Sequence, residues 1–143
     1  MITIHKGQYL SDVMNEIPSE CILSKKIPGC GATTLELDTQ RNSIIIVPNV
    51  PVIKSKCSKY DNLLGVYENV TADKICNYLT SNTLHKIMIT PESLCKVKTA
   101  CERCGIDLYS HFFLLMDECH QLIKDVDYRE DIVLPMTDFF RFK

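Results

Sequence analysis

Lys25-Lys26-Ile27-Pro28-Gly29-Cys30-Gly31-Ala32-Thr33-Thr34 is the stretch around which the chain is read. A short β-prone run, Cys21-Ile22-Leu23-Ser24, enters it, and a helix-capable run, Thr34-Leu35-Glu36-Leu37, leaves it. The pattern predicts a strand over 21–24 and a helix starting near Ala32. Strand, glycine turn, Thr pair and helix is the order of parts in a loop that cradles phosphates. Glycines let the backbone approach phosphate oxygens closely, and the first turn of the following helix aims N–H groups and a positive dipole end at them. The usual pattern is Gly, four residues, then Gly-Lys-Ser/Thr. Here Ala32 follows Gly31 where that Lys is expected, and Lys26 holds the place of the first Gly.

Outward from the loop, strand-like and helix-like runs alternate. The β-branched run at 43–47, bounded by turn residues, reads as a strand buried on both faces. Pro48-Asn49-Val50-Pro51 is a turn at its C-terminal end, followed by a short helix over 52–60 that carries Lys54, Lys56 and Lys59. Residues 63–67 are a strand candidate, and Thr71-Ala72-Asp73 opens a helix to about Leu79. Lys86-Ile87-Met88-Ile89-Thr90 is a strand, and Pro91-Glu92-Ser93-Leu94 opens a helix that Gly105 ends. Residues 111–116 form the last clear strand, ending at Asp117-Glu118-Cys119-His120, with a helix expected from Cys119. Upstream of the loop, a strand is expected at 2–4 and a helix with Leu10, Val13, Met14 and Ile17 on one face. Downstream, 124–131 reads as a charged loop and 132–142 as a helix or an apolar packing segment. Strands alternating with helices predict an α/β fold built on a parallel sheet with helices on both faces.

The bulk numbers agree. With 143 residues, 45% hydrophobic and 24% charged, the chain suits one globular domain over 1–143. A net charge of −2 provides no overall basic field for nucleic acid, so any such contact must come from a local patch. The longest apolar runs are too short to span a membrane. The start, Met-Ile-Thr-Ile-His-Lys, lacks the charged start and long apolar core of a signal peptide. The eight cysteines are therefore expected as reduced thiols in the cytoplasm, with Cys21, Cys76 and Cys95 as small core residues. Cys101-Glu102-Arg103-Cys104 is half of a zinc site, whose other half would have to come from Cys95, His111 or Cys119-His120, and zinc is not the preferred reading.

Three features fall where strands end, the edge at which open α/β sheets bind ligands. They are the glycine loop, the acidic pair Asp117-Glu118 after Phe112-Phe113-Leu114-Leu115-Met116, and the two turns Val47-Pro48-Asn49 and Thr90-Pro91-Glu92-Ser93. Together they resemble the first RecA-like domain of superfamily 2 DEAD/DEAH-box-like helicases and related nucleic-acid-dependent ATPases. Asp117-Glu118-Cys119-His120 resembles the family's DExH form of Walker B, and Gly29-Cys30-Gly31-Ala32-Thr33 its Gly-x-Gly-Lys-Thr loop without the Lys. Val47-Pro48 and Thr90-Pro91-Glu92-Ser93 resemble its nucleic-acid-contacting segments. The resemblance covers the chain from about residue 20 onward.

The resemblance implies a three-layer RecA-like P-loop fold that binds ATP and Mg²⁺. Lys25, Lys26, Gly29, Cys30, Gly31, Ala32, Thr33 and Thr34 would surround the phosphates, with Lys25 or Lys26 bending back for the missing Lys. Thr33 and Asp117 would hold Mg²⁺, and Glu118 would orient the attacking water. The plain structural alternative for Asp117-Glu118 is a pair capping the next helix. His120 would link the nucleotide site to the nucleic-acid side. Pro48, Lys54, Thr90, Pro91 and Ser93 would face DNA or RNA; solvated helix faces are the plain alternative for the lysines. The family's Ser-Ala-Thr segment and second RecA-like domain are not in this sequence, so a second motor domain in cis or trans is the expected partner, and unwinding by residues 1–143 alone is not expected. Two readings stand: a motor domain that hydrolyses ATP on nucleic acid, favoured by the intact Asp117-Glu118, and a non-catalytic P-loop-like scaffold or nucleic-acid-binding module, favoured by Ala32.

Overall fold

A computed structural model describes residues 3–25, 29–125 and 137–142. The chain forms two compact units, residues 1–40 and 41–143.

The larger unit is α/β. Strands β1 (Ser43–Ile46), β2 (Leu63–Val66), β3 (Lys86–Ile89) and β4 (Phe113–Met116) form one sheet in the order β2-β3-β1-β4, and every pairing is parallel. Each is a short run of β-branched or bulky apolar residues, the composition of strands covered on both faces. The fully buried β1 lies between β3 and β4, with Ile46 opposite both Ile89 and Met116.

Connection direction decides where the helices go. From β1 the chain runs outward to β2 through α2 (Val50–Cys57), then returns to β3 through α3 (Ala72–Ser81). It crosses β1 to β4 through α4 (Leu94–Arg103) and the short α5 (Leu108–His111). Right-handed crossovers in opposite directions place helices on opposite faces. Accordingly Ile75 and Leu79 of α3 and Leu94, Val97 and Ala100 of α4 join one core with Ile44, Ile46, Ile87, Ile89 and Val66. On the other face α2 lies over Gly65, where an added Cβ would come within 2.7 Å of Ile53 Cγ2 and 3.0 Å of Cys57 Sγ.

Local signals set the helix limits. Pro51 lies in the first turn of α2, and Thr71 Oγ1 caps α3 by accepting from Lys74 N–H. The helix expected from Pro91 begins as a 3-10 turn, Pro91–Ser93, before α4, and Gly105 follows its end at φ +68°. The strand expected from residue 111 starts at Phe113 instead. Asp107 Oδ1 accepts from Tyr109 N–H and starts α5, which takes up the residues before it. After β4, α6 (Cys119–Asp125) forms as expected.

The N-terminal ends of β1, β3 and β4 are joined by a polar cluster. Asn42 Oδ1 accepts His85 N–H at 2.9 Å, His85 Nδ1 and His111 Nε2 are 2.9 Å apart, and His85 Nε2 lies 2.8 Å from Asn82 O. Tyr78 Oη closes the neighbouring corner, donating to Asn62 O and accepting from Lys86 N–H.

The smaller unit is less regular than expected. The helix expected over 10–17 is only a 3-10 turn at Leu10–Asp12, although Leu10 and Ile17 are both buried. The strand expected over 21–24 does not form: these residues have no ladder partner among the described residues, and Ile22 is 94% exposed. β-propensity makes a strand only beside a neighbour that takes its backbone groups. The helix after the loop does form, as α1 (Ala32–Asp38). Ile2 of the strand expected at 2–4 lies outside the described residues, as do 126–131 of the expected charged loop and 132–136 of the last segment. The remainder of that segment includes a 3-10 turn at Phe139–Arg141, held in the larger unit by Tyr109 Oη donating to Asp138 Oδ2 at 3.0 Å. Among the described residues no helix is long and apolar enough to cross a membrane.

Two outcomes follow. Gly65→Ala forces a methyl group against Ile53 and Cys57, so urea unfolding is expected to show a loss of about 1–3 kcal/mol. The His111 imidazole is held below its ordinary pKa by burial and by the facing His85 ring. A lowered histidine pKa gives stability that is present above the unfolded value, about 6.5, and lost as pH falls below it. Unfolding midpoints are therefore expected to drop on acidification below about pH 6.5, and less steeply in His111→Gln.

Candidate functional site

The sheet register builds one edge. Because β3, β1 and β4 are adjacent and end together, the turns that follow them stand side by side: Thr90-Pro91-Glu92-Ser93, Val47-Pro48-Asn49 and Asp117-Glu118. Val47 N–H donates to Ile89 O and Asp117 N–H donates to Ile46 O, both at 2.9 Å, so the ladder extends one residue into each of these turns. Residues far apart in sequence thus meet at the C-terminal ends of parallel strands, the position from which open α/β sheets bind ligands.

Asp117 and Glu118 differ in what holds them. Asp117 Oδ1 accepts Glu118 N–H at 3.0 Å, and Glu118 O accepts Gln121 N–H at 2.8 Å, which starts α6. Neither bond is a side-chain cap of α6, because Asp117 accepts from a residue that precedes the helix. Glu118 also has φ +55°, in the left-handed region that costs a side-chain-bearing residue about 1 kcal/mol or more. Capping alone does not require that conformation of a Glu. Its carboxylate is partly exposed, and Oε2 lies 3.4 Å from His120 Nδ1. His120 is mostly exposed, so this contact contributes little to stability.

The nucleic-acid candidates separate into two groups. Pro48 is half-buried and Lys54 is exposed on α2, with Nζ 5.6 Å from the centre of the Tyr67 ring. Thr90, Pro91 and Ser93 are buried, and Thr90 Oγ1 and Ser93 Oγ are hydrogen-bonded to each other at 3.0 Å. Those two hydroxyls fix the turn into α4. Two of the basic residues that follow, Lys96 and Arg103, already have partners within the larger unit. Lys96 Nζ donates to Tyr67 O and Glu68 O, and Arg103 pairs with Asp73 at 2.9 Å. A groove of about 570 Å³ runs along β2 between α2 and α3, lined in part by Lys54, Lys74, Tyr67 and Tyr78. It belongs to the opposite side of the sheet order from β4.

In the smaller unit, Gly29 and Gly31 have φ +77° and +88°. Gly31 is the N-cap of α1, and its carbonyl accepts Leu35 N–H at 2.8 Å. Cys30 O accepts Leu10 N–H at 2.8 Å, and the Tyr9 ring lies 3.6 Å from where a Gly31 Cβ would stand. The loop is thus packed on the 3-10 turn before it, a tie that no spacing in the sequence signals. Ala32 is buried at the start of α1, and Thr33 and Thr34 are half-buried. Lys25 is half-buried, and Lys26 lies outside the described residues.

Among the described residues no three His, Cys, Asp or Glu side chains are grouped to hold an ion. A single carboxylate at a strand end fits Mg²⁺, which takes one or two carboxylates and completes its shell with water and substrate phosphates. No family model, curated protein or solved structure matches this chain.

If the Glu118 backbone is strained, removing its Cβ relieves it. Glu118→Gly is expected to raise unfolding stability by about 0.5–1 kcal/mol in urea titrations, and Glu118→Ala to give no such gain.

Proposed function

We propose that the chain is the ATP-binding motor domain of a helicase-like, nucleic-acid-dependent ATPase. The observation that carries this reading is Asp117-Glu118 at the C-terminal end of a parallel strand, with Glu118 kept in a left-handed backbone that helix capping does not need. The two left-handed glycines before α1 support it, since such backbone lets a loop approach phosphates closely. On this reading Gly29–Thr34 bind the phosphates, Thr33 and Asp117 hold Mg²⁺, and Glu118 orients and polarises the attacking water. Mg²⁺, when bound, neutralises charge developing on the phosphoryl oxygens. Lys25 or Lys26 substitutes for the absent Lys. The Pro48 and Thr90-Pro91 turns, with Lys54, meet the sugar-phosphate backbone of DNA or RNA, a non-specific contact of the kind a moving enzyme needs. A second RecA-like domain completes the motor, and the cytoplasm is its place of action.

A second reading keeps the fold and drops the chemistry: a P-loop-like scaffold or nucleic-acid-binding module. Ala32 favours it, because this position is buried and apolar where the γ-phosphate would expect a cation.

Mg²⁺-dependent ATP hydrolysis by a form that includes the second motor domain separates the two, measured with and without nucleic acid beside Glu118→Gln. Turnover that nucleic acid stimulates and Glu118→Gln lowers by about 10²-fold or more is expected. Rates equal to the Glu118→Gln background would sink the enzyme reading. Lys26→Ala is expected to lower turnover while leaving the melting temperature in place, and an unchanged rate would rule out its substitute role.

A further inference from the structure

β2 ends the sheet. In the order β2-β3-β1-β4 it has a strand partner on one side only among the described residues. Val66 O accepts Thr90 N–H, so Val66, and by alternation Leu64, turns its backbone groups toward β3. Those of Leu63, Gly65 and Tyr67 therefore point to the outer edge. Some of them are already used: Leu63 N–H donates to Tyr60 O, and Tyr67 O accepts from Lys96 Nζ. Tyr67 N–H has no hydrogen-bond partner among the described residues. Together with the carbonyls of Leu63 and Gly65 it forms a short row of groups that a further strand can pair with. The position of that row is fixed, because Tyr78 Oη donates to Asn62 O immediately before β2.

Open edges are commonly blunted by lysine or proline within the strand, and Leu63-Leu64-Gly65-Val66 contains neither. Instead the groove of about 570 Å³ runs along this edge, with α2 and α3 as its walls. Its charge sets the sign of an occupant. Lys54 comes from α2 and Lys74 from α3, on opposite faces of the sheet, and both are exposed. Neither has an ion pair among the described residues. Lys54 Nζ lies 5.6 Å from the centre of the Tyr67 ring, which puts its charge at the C-terminal end of β2. The acid in the lining, Asp61, stands two residues before β2 at the other end.

We propose that the outer edge of β2 binds an extended acidic peptide of a partner protein, which joins the sheet as a further strand. Main-chain bonds to Leu63, Gly65 and Tyr67 supply affinity, and the two lysines supply selectivity. Successive side chains of a strand point to opposite faces. Two adjacent acids in the peptide therefore meet one lysine each, the first on the α2 side and the second on the α3 side or the reverse. A basic peptide meets like charge at both walls. Lys54 is also among the nucleic-acid contacts proposed above, whereas Lys74 has no part in that reading, so Lys74 reports on this groove alone.

The probe is a fluorescent, end-blocked heptapeptide of threonine and valine with two adjacent glutamates at its centre, titrated with residues 1–143 and read by anisotropy. It is expected to bind about tenfold or more tightly than the same peptide with two lysines. Lys74→Glu is expected to weaken the acidic peptide about tenfold. This variant puts an acid three residues after the Thr71 cap, where it suits a helix start, so the fold is retained. Two further peptides, N-methylated on alternate amides in the two possible registers, test strand addition on the natural protein. One register is expected to lose binding and the other to keep it, because only every second amide faces β2. No binding of the acidic peptide, equal affinity for the lysine form, an unchanged affinity in Lys74→Glu, or equal behaviour of the two methylated registers would each overturn the proposal. An oligothymidylate that displaces the peptide and itself depends on Lys74 would assign the groove to nucleic acid instead. A dimer in sedimentation equilibrium that excludes the peptide would assign it to a second copy of this chain.

Discussion

The parallel pairing of β1 with β3 on one side and β4 on the other is the constraint on which the larger unit depends. β1 is only four residues long and all four are fully buried, so its backbone groups can be satisfied only by the two neighbouring strands. A one-residue slip on either side would move Ile44 and Ile46 from the α3–α4 core to the other face. The same register brings the turns after β1, β3 and β4 level with one another, so the fold requirement and the candidate site have one cause.

The two ends of the sheet are built differently. At the N-terminal ends of the strands, side chains close the structure: Asn42, His85 and His111 bond to one another, and Tyr78 takes up backbone groups of two segments. At the C-terminal ends, the chain turns are shaped instead. Thr90 and Ser93 bond their hydroxyls to each other, and Glu118 holds a backbone angle that glycine would adopt without strain. Strain of this kind persists where surrounding structure fixes it, and here the ladder bond from Asp117 to Ile46 fixes one side and the start of α6 the other.

Much of this is legible in the sequence alone. The β-branched run from Ser43, the Lys86–Ile89 run, Thr71 before a helix and Gly105 after one are local signals, and each gave an element close to where it stands. The acidic pair after an apolar run was equally visible. What failed was also local reasoning. Cys21–Ser24 has the composition of a strand, but a ladder needs a partner that composition cannot supply, and none is present among the described residues. The run beginning at Leu10 has helical spacing yet gives only one 3-10 turn, with Leu10 N–H bonded to Cys30 O. Thr90 and Ser93 read as exposed contact residues from their turn, whereas packing of α4 turns them inward.

The sequence by itself determined the alternation of strands and helices, the buried character of the sheet and the positions of the chemistry-bearing turns, because these depend on side-chain type and on neighbours within a few residues. Tertiary structure alone decided the strand order that sets Pro48, Thr90 and Asp117 along one edge. It decided the meeting of His85 with His111. It also decided the left-handed turn at Glu118. Each of these is set by a contact or a constraint between residues distant in the chain, and only packing can specify that.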